Sequence, residues 1–302
     1  MKELAKYVNG TYTITLLEDG TKIREGDIFK PDYPESIDVK ITNYCDAGCA
    51  YCHEDSTREG QHADLDWLLN KLKDLPKGTE LAIGGGNPLS HPRLYWFLDE
   101  INKLGLIPNI TINSLHVNDN IYKLREKVRG IGISYNPVFR KKIVKYVDEN
   151  TVIHVIAGVH RWIDVLVLAN EIKEATGKDA KILILGFKIF GRGIKYAQAM
   201  SSSIDGLDAK MKDWFTSLFY FVRNEELSVV SFDTLAIQQL QVWRLFGGKD
   251  SQAFKDLYMG DDGQFTMYLD AVEKQFAVTS RSVTRWSLDG SIQDAFNVVK
   301  SY

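Results

Sequence analysis

"IDVKITNYCDAGCAYCHEDS", residues 37–56, opens as a strand-like run, "IDVKIT", and continues into a loop that holds every cysteine of the chain. Cys45, Cys49 and Cys52 fall within eight positions at the spacing C-x3-C-x2-C. Outward from this stretch the rhythm of its first six residues repeats. Short apolar runs, "ELAIGG" (80–85), "NITIN" (109–113), "GIGIS" (130–134), "VIHVIAG" (152–158), "KILILGF" (181–187) and "LSVVSF" (227–232), alternate with segments of helical period. One such segment, 64–75, places Leu65, Leu68, Leu69, Leu72 and Leu75 on one face. The next, 92–104, has Pro92 in its first turn, repeats Leu94, Phe97, Leu98, Ile101 and Leu104, and stops at Gly105.

Six or seven βα units in succession imply a parallel sheet, since each parallel pairing needs a crossover that brings the chain back to the same edge. A doubly wound sheet and a full or partial (βα) barrel both satisfy this pattern. In either, reactive residues belong at the C-terminal ends of the strands. Ahead of the series, "TYTITLLEDGTKIRE" (11–25) alternates apolar and polar residues around Asp19-Gly20, which predicts a β-hairpin. Behind it, "LAIQQLQVWRLFGG" (235–248) reads as one helix and "GQFTMYLDAVEKQFAVTS" (263–280) as two strands across a turn. The helix over 208–224, with Met211, Trp214, Phe215, Leu218, Phe219 and Val222 on one side, reads as cladding for the core.

Composition narrows the partners. The 302 residues are 44% hydrophobic and 25% charged, enough to bury roughly 75% of the unfolded surface. A formal charge of −3 and the lack of a Lys/Arg-rich block disfavour a large nucleic acid. "MKELAKYVNG" has no apolar run leading to a cleavage site, and the most apolar segment, 152–169, is broken by His160, Arg161 and Asp164. The expectation is no export signal, no membrane span and a cytoplasmic location, to which three clustered cysteines that form no disulfide framework also point.

Core cysteines scatter with the core and would not gather in a turn containing Asp46 and Gly48. Three thiolates on one loop instead suit a metal or an iron–sulfur cluster. A Cys3His zinc site is the competing reading, with His53 as fourth ligand, although a ligand directly after Cys52 is awkward for one tetrahedral ion. A three-thiolate cubane leaves one iron open for a further ligand.

The string from Cys45 to Cys52, with Tyr51 before the last cysteine and a strand directly ahead, resembles the cluster loop of radical S-adenosylmethionine (radical SAM) enzymes. The resemblance implies a partial (βα)6 TIM-like barrel and one 4Fe-4S cluster on Cys45, Cys49 and Cys52, with S-adenosylmethionine chelating the open iron. It also implies reductive cleavage to methionine and a 5′-deoxyadenosyl radical that takes a hydrogen atom from the substrate. A flavodoxin- or ferredoxin-like one-electron donor and oxygen sensitivity come with it.

"AIGGGNPLSHP" (82–92) resembles the family's GGEP motif at Gly85, Gly86, Asn87 and Pro88, with Asn87 where glutamate is usual. An amide oxygen still accepts from the methionyl ammonium, without charge assistance. Asn113-Ser114 and Ser134-Tyr135 resemble positions facing the ribose and the methionyl carboxylate, and Ala157 and Gly158 the backbone near the adenine. Lys188 and Arg192 in "GFKIFGRG" are candidates for pairing with a carboxylate, and His154 is expected in the core. The cofactor residues expected beside the three metal ligands are therefore Tyr51, Gly85, Gly86, Asn87, Pro88, Asn113, Ser134, Gly158 and Lys188.

The expected organisation is a hairpin appendage over 1–34, the partial barrel over 35–235 and a small α+β extension over 236–302. No cysteine follows Cys52, so a single cluster is expected, and the N-terminal appendage is short for a leader-peptide recognition domain. The substrate stays open between a peptide or protein side chain, a nucleotide-like small molecule and a partner enzyme activated by a glycyl radical. The alternative to an enzyme is a binding module stabilised by zinc or an iron–sulfur cluster.

Overall fold

Alternation of apolar and polar residues places one face of each strand in the core, and the computed structural model, which describes residues 2–201, 206–224 and 229–302, shows where those faces meet. Strands β1 (Glu3–Asn9), β2 (Tyr12–Leu17) and β3 (Lys22–Glu25) form an antiparallel sheet in the order β1-β2-β3. The expected hairpin is β2–β3, its turn held by Thr21 N–H donating to Asp19 Oδ1 at 2.9 Å. β1 adds a third strand that the sequence reading did not contain. The buried Glu35 carboxylate accepts from Tyr12 Oη at 2.5 Å and from Arg24 Nε at 2.7 Å, fastening this sheet to the chain entering β4.

Among the described residues the second sheet has ten strands: β4 (Ser36–Lys40), β5 (Glu80–Gly84), β6 (Ile107–Asn113), β7 (Gly130–Ser134), β8 (Thr151–Ile156), β9 (Lys181–Leu185), β10 (Val229–Phe232), β11 (Thr266–Asp270), β12 (Gln275–Ala277) and β13 (Trp286–Ser287). Their order is β10-β9-β8-β7-β6-β5-β4-β11-β12-β13, and every pairing from β10 through β11 is parallel. The seven expected strands are thus β4 to β10, though Leu227 and Ser228 of the last lie outside the described residues. Each successive strand from β4 to β10 adds on the same side. The next strand, β11, joins the opposite side of β4, parallel to it.

Helices α1 (Leu65–Leu72), α2 (Leu94–Lys103), α3 (Asn120–Arg125), α4 (Arg140–Tyr146), α5 (Trp162–Thr176), α6 (Arg192–Met200), α7 (Leu207–Asn224), α8 (Thr234–Gln239), α9 (Gln252–Leu257) and α10 (Ile292–Ser301) complete the fold. The fold is mixed α/β. α1 is shorter than the 64–75 segment because Asp64 caps it, accepting from the amides of Asp66 and Trp67, and it ends at Leu72. Pro92 precedes α2 instead of lying in its first turn. The expected helix over 235–248 is broken: α8 ends at Gln239, Gln241 adopts φ +50°, and a 3-10 turn follows over Val242–Phe246.

Leu81, Ile83, Ile110, Ile112, Ile131, Ile133, Ile153, Val155, Ile182 and Ile184 form the apolar face of the sheet in one core with the helices. The other face is polar, with Asp38, Lys40, Asn109, Thr111, Asn113, Ser134, His154, Tyr268 and Asp270 on it by alternation. α7 contributes Trp214 and Leu218 to the core, while Phe215 is exposed; the side chains of Phe219 and Val222 lie outside the described residues. The expected C-terminal strand pair is β11–β12, and β11 also pairs with β4 in register, Tyr268 beside Asp38 and Asp270 beside Lys40. Among the described residues no helix is long and apolar enough to cross a membrane.

Candidate active site

The C-terminal ends of β4 to β9 lie along one edge of the sheet, and the cysteines, the glycine turn, Asn113, Ser134, Gly158 and Lys188 lie at or just past them. The cysteine loop leaves β4. Its neck is closed by Cys45 N–H donating to Thr57 O at 2.7 Å and Thr57 N–H donating to Asn43 O at 3.2 Å. Inside, Cys52 N–H donates to Cys49 O at 3.3 Å. The three cysteines are free and half-buried. Burial, and after it the neighbouring thiols, push Cys49 up from the ordinary thiol range; burial likewise raises Cys45.

The glycine turn after β5 packs on the approach to this loop. Gly86 N–H donates to Thr42 O at 2.8 Å and Asn87 N–H to Tyr44 O at 2.6 Å. A Cβ on Gly86 would stand 2.1 Å from Tyr44 O, so the residue must be glycine for the two chains to touch. Gly85 lies in the same turn and Pro88 starts the short 3-10 turn that Asn87 caps through its Oδ1, accepting from Leu89 N–H at 3.2 Å. Asn87 Nδ2 reaches Asp46 Oδ1 at 3.4 Å, and His116 Nε2 lies 2.7 Å from the same oxygen. Partial burial opposes the charge on Asp46, but hydrogen bonds from its own amide, His116 and Asn87 outweigh it and hold the carboxyl below its ordinary range.

Asn113, Ser134 and His154 stand side by side across β6, β7 and β8. Asn113 Nδ2 donates to Cys49 Sγ at 3.5 Å, joining the third strand end to the cysteines. Gly158, just past β8, lies against Leu207 and Met211 of α7. Tyr51 is held edge-on to His160 and Tyr196, ring centroids at 6.1 and 5.8 Å. Lys188, past β9, donates to Ser280 Oγ at 2.8 Å and lies 3.4 Å from His53 Nε2, so among the described residues its hydrogen-bond partners are not carboxylates. His154 is neutral on the polar face, burial lowering it to about 4.

Arg192, expected to pair with a carboxylate, does so with Asp55 but bonds mainly to backbone carbonyls, and Glu54 and Asp38 are participants that the motifs did not point to. Arg192, at the start of α6, donates through Nε to Cys49 O at 2.9 Å, through Nη1 and Nη2 to Ser56 O at 3.0 Å, and through Nη1 to Asp55 Oδ1 at 2.9 Å. Glu54 is bound by Lys40 Nζ at 3.0 Å and by Tyr268 Oη at 3.0 Å, and Lys40 also pairs with Asp270 at 2.9 Å. The loop is thereby pinned to β4 and β11. Asp38, next on the polar face, is reached by solvent yet enclosed by protein; that enclosure pushes its carboxyl up, and Lys188 pulls it back only in part.

The donor set suits a cluster. Four buried polar atoms without a hydrogen-bond partner among the described residues, Asn43 Oδ1, Ser56 Oγ, Ser114 Oγ and His116 Nδ1, belong to the loop and the strand end facing it. Among the described residues no three His, Cys, Asp or Glu side chains gather as ligands of one ion. A cluster offers each thiolate its own iron and asks for no such convergence.

The family model described as Radical SAM superfamily matches residues 39–190. No curated protein matches the chain in sequence. Among solved structures, SuiB of Streptococcus suis bound to precursor peptide SuiA aligns with a TM-score of 0.61 at 16% identity, over 90% of this chain and 68% of that one. SuiB bound to S-adenosylmethionine aligns at 0.60 and 15% identity, over 90% and 69%. At these identities the likeness is one of fold.

Proposed function

The chain belongs to the radical SAM superfamily of enzymes, and from that premise we propose that Cys45, Cys49 and Cys52 hold one 4Fe-4S cluster and that the adjoining strand ends bind S-adenosylmethionine. The observation that carries this is the contact of the Asn113 amide with Cys49 Sγ at the edge where the glycine turn, β6 and β7 also end. When bound, the cluster supplies the electron that cleaves S-adenosylmethionine to methionine and a 5′-deoxyadenosyl radical, which removes a hydrogen atom from the substrate.

The residues of the chain bind and orient. Asn87 offers its amide oxygen to the methionyl ammonium. Asp46, bonded to Asn87, supplies the negative charge that asparagine lacks. Asn113 and Ser134 offer polar groups to the carboxylate and ribose, and Tyr51 with the backbone of Ala157 and Gly158 flanks the adenine. The polar face bearing Asp38 and Tyr268, with Lys188 beyond the end of β9, receives the substrate, and β11 makes the C-terminal extension, 236–302, part of that wall. We read 35–235 as a partial (βα)6 barrel behind an N-terminal unit of 1–34, a reading supported by the run of parallel strands β4 to β10.

The substrate we favour is a peptide or protein side chain, because the fold resembles SuiB, which binds a precursor peptide. A flavodoxin- or ferredoxin-like donor would supply the electron, in the cytoplasm. His53 does not favour a Cys3His zinc site, since its Nε2 lies 3.4 Å from both Glu54 Oε1 and Lys188 Nζ. The test is anaerobic reconstitution. We expect a brown protein with about four irons per chain, releasing 5′-deoxyadenosine on reduction, and loss of both in Cys49→Ala. A colourless protein with one zinc, or a cluster that never cleaves the cofactor, would overturn the reading.

A further inference from the structure

Arg192 spends its guanidinium on the backbone of the cysteine loop. Nε donates to Cys49 O, both terminal nitrogens donate to Ser56 O, and one of them pairs with Asp55. Its own N–H donates to Cys52 O at 3.0 Å, so two of the three cysteine carbonyls end on this one residue. Asp55 is 62% exposed and contributes little energy through its ion pair; the carbonyl contacts are the half-buried ones.

The approach is built into the backbone. Gly191 adopts φ +51°, and a Cβ there would stand 2.8 Å from His53 O and 2.9 Å from Cys52 O. A side chain at this position would force α6 off the loop. The planar fork of arginine matches several acceptors at fixed angles, which a lysine ammonium on its flexible stem does not.

We propose that Arg192 is a positioning residue for the cluster. Its fork fixes the segment from Cys49 to Ser56, and with it the places of two of the thiolates, while its charge favours the reduced, more negative state. This rests on the cluster assignment above, and it concerns a residue that does not ligate iron.

The test compares wild type, Arg192→Met and Arg192→Lys after anaerobic reconstitution, reading iron release to a chelator, the electron paramagnetic resonance spectrum of the reduced cluster and its midpoint potential. Arg192→Met is expected to release iron about tenfold faster, the factor that goes with one net hydrogen bond, with an altered spectrum and a more negative potential. Arg192→Lys keeps the charge without the fork: its potential stays near wild type while its iron release is still accelerated. If Arg192→Met does not fold, as judged by circular dichroism of the apoprotein, the lysine variant decides alone. Iron release, spectrum and potential unchanged from wild type would overturn the proposal. A wild-type protein that takes up no iron would instead overturn the cluster assignment beneath it.

Discussion

Asp46 stands between the first two cysteines and shares one carboxylate oxygen between Asn87 and His116. The chain has asparagine where related motifs have glutamate, and it brings an aspartate from the neighbouring loop to within 3.4 Å of that asparagine. If the pair acts as one anionic acceptor, its effect must be confined to the amino-acid end of the cofactor. Asp46→Asn should weaken S-adenosylmethionine binding roughly tenfold, the scale of one hydrogen bond to a charged group, and leave 5′-methylthioadenosine, which has no ammonium, unaffected. Equilibrium dialysis with both ligands checks this; an equal loss for both would mean that Asp46 acts on the loop and not on the ligand. The three cysteines were legible because they are neighbours in sequence. Arg192 was read only as a possible partner for a carboxylate, because its main acceptors are backbone carbonyls 136 and 143 residues away, which no residue type announces.

At the scale of elements, β11 matters most. It brings Asp270 beside Lys40, whose ammonium also holds Glu54, so one buried cation neutralises a carboxylate from the cysteine loop and one from the C-terminal strand. Removing that cation strands two buried charges. Lys40→Met is therefore expected to lower the unfolding free energy by ~3 kcal/mol. Replacing all three charges, in Lys40→Met, Glu54→Gln and Asp270→Asn together, should recover much of the loss, because a buried ionic group is more harmful half-removed than absent. Urea unfolding of the two proteins measures the difference, and a triple variant no better than the single one would show that the ion pairs are not the source. Strands β4 to β9 were readable because each alternates within a few residues. The place of β11 was not, since Lys40 and Asp270 are 230 residues apart and alternation names no partner. β1 escaped because its residues are mostly exposed or half-buried, leaving little apolar contrast to read.

For the whole molecule, the balance of buried titratable groups sets an acid limit on stability. Burial lowers His154 and His160 to about 4, with Lys210 adding to the effect on His160. An unfolded chain binds these protons near pH 6.5. Between those values the unfolded state takes up protons that the folded state refuses, so stability falls as pH drops from 6.5 to about 4 and levels off below. His160, only 7% exposed, accounts for on the order of 3 kcal/mol of this alone. His53, His62 and His91, also lowered chiefly by burial, act in the same direction. Glu54 acts lower on the scale: burial opposes its charge, but the bonds to His53 and Lys40 prevail and hold it well below the ordinary carboxylate value, so its contribution is lost only as pH falls beneath that value. Acid loss between pH 6.5 and 4.5 is thus histidine-driven. The double variant His154→Gln, His160→Gln should show a markedly shallower fall in the urea midpoint of the apoprotein across this interval, whatever its stability at pH 7.5. A slope equal to that of wild type would place the acid sensitivity in the carboxylates instead.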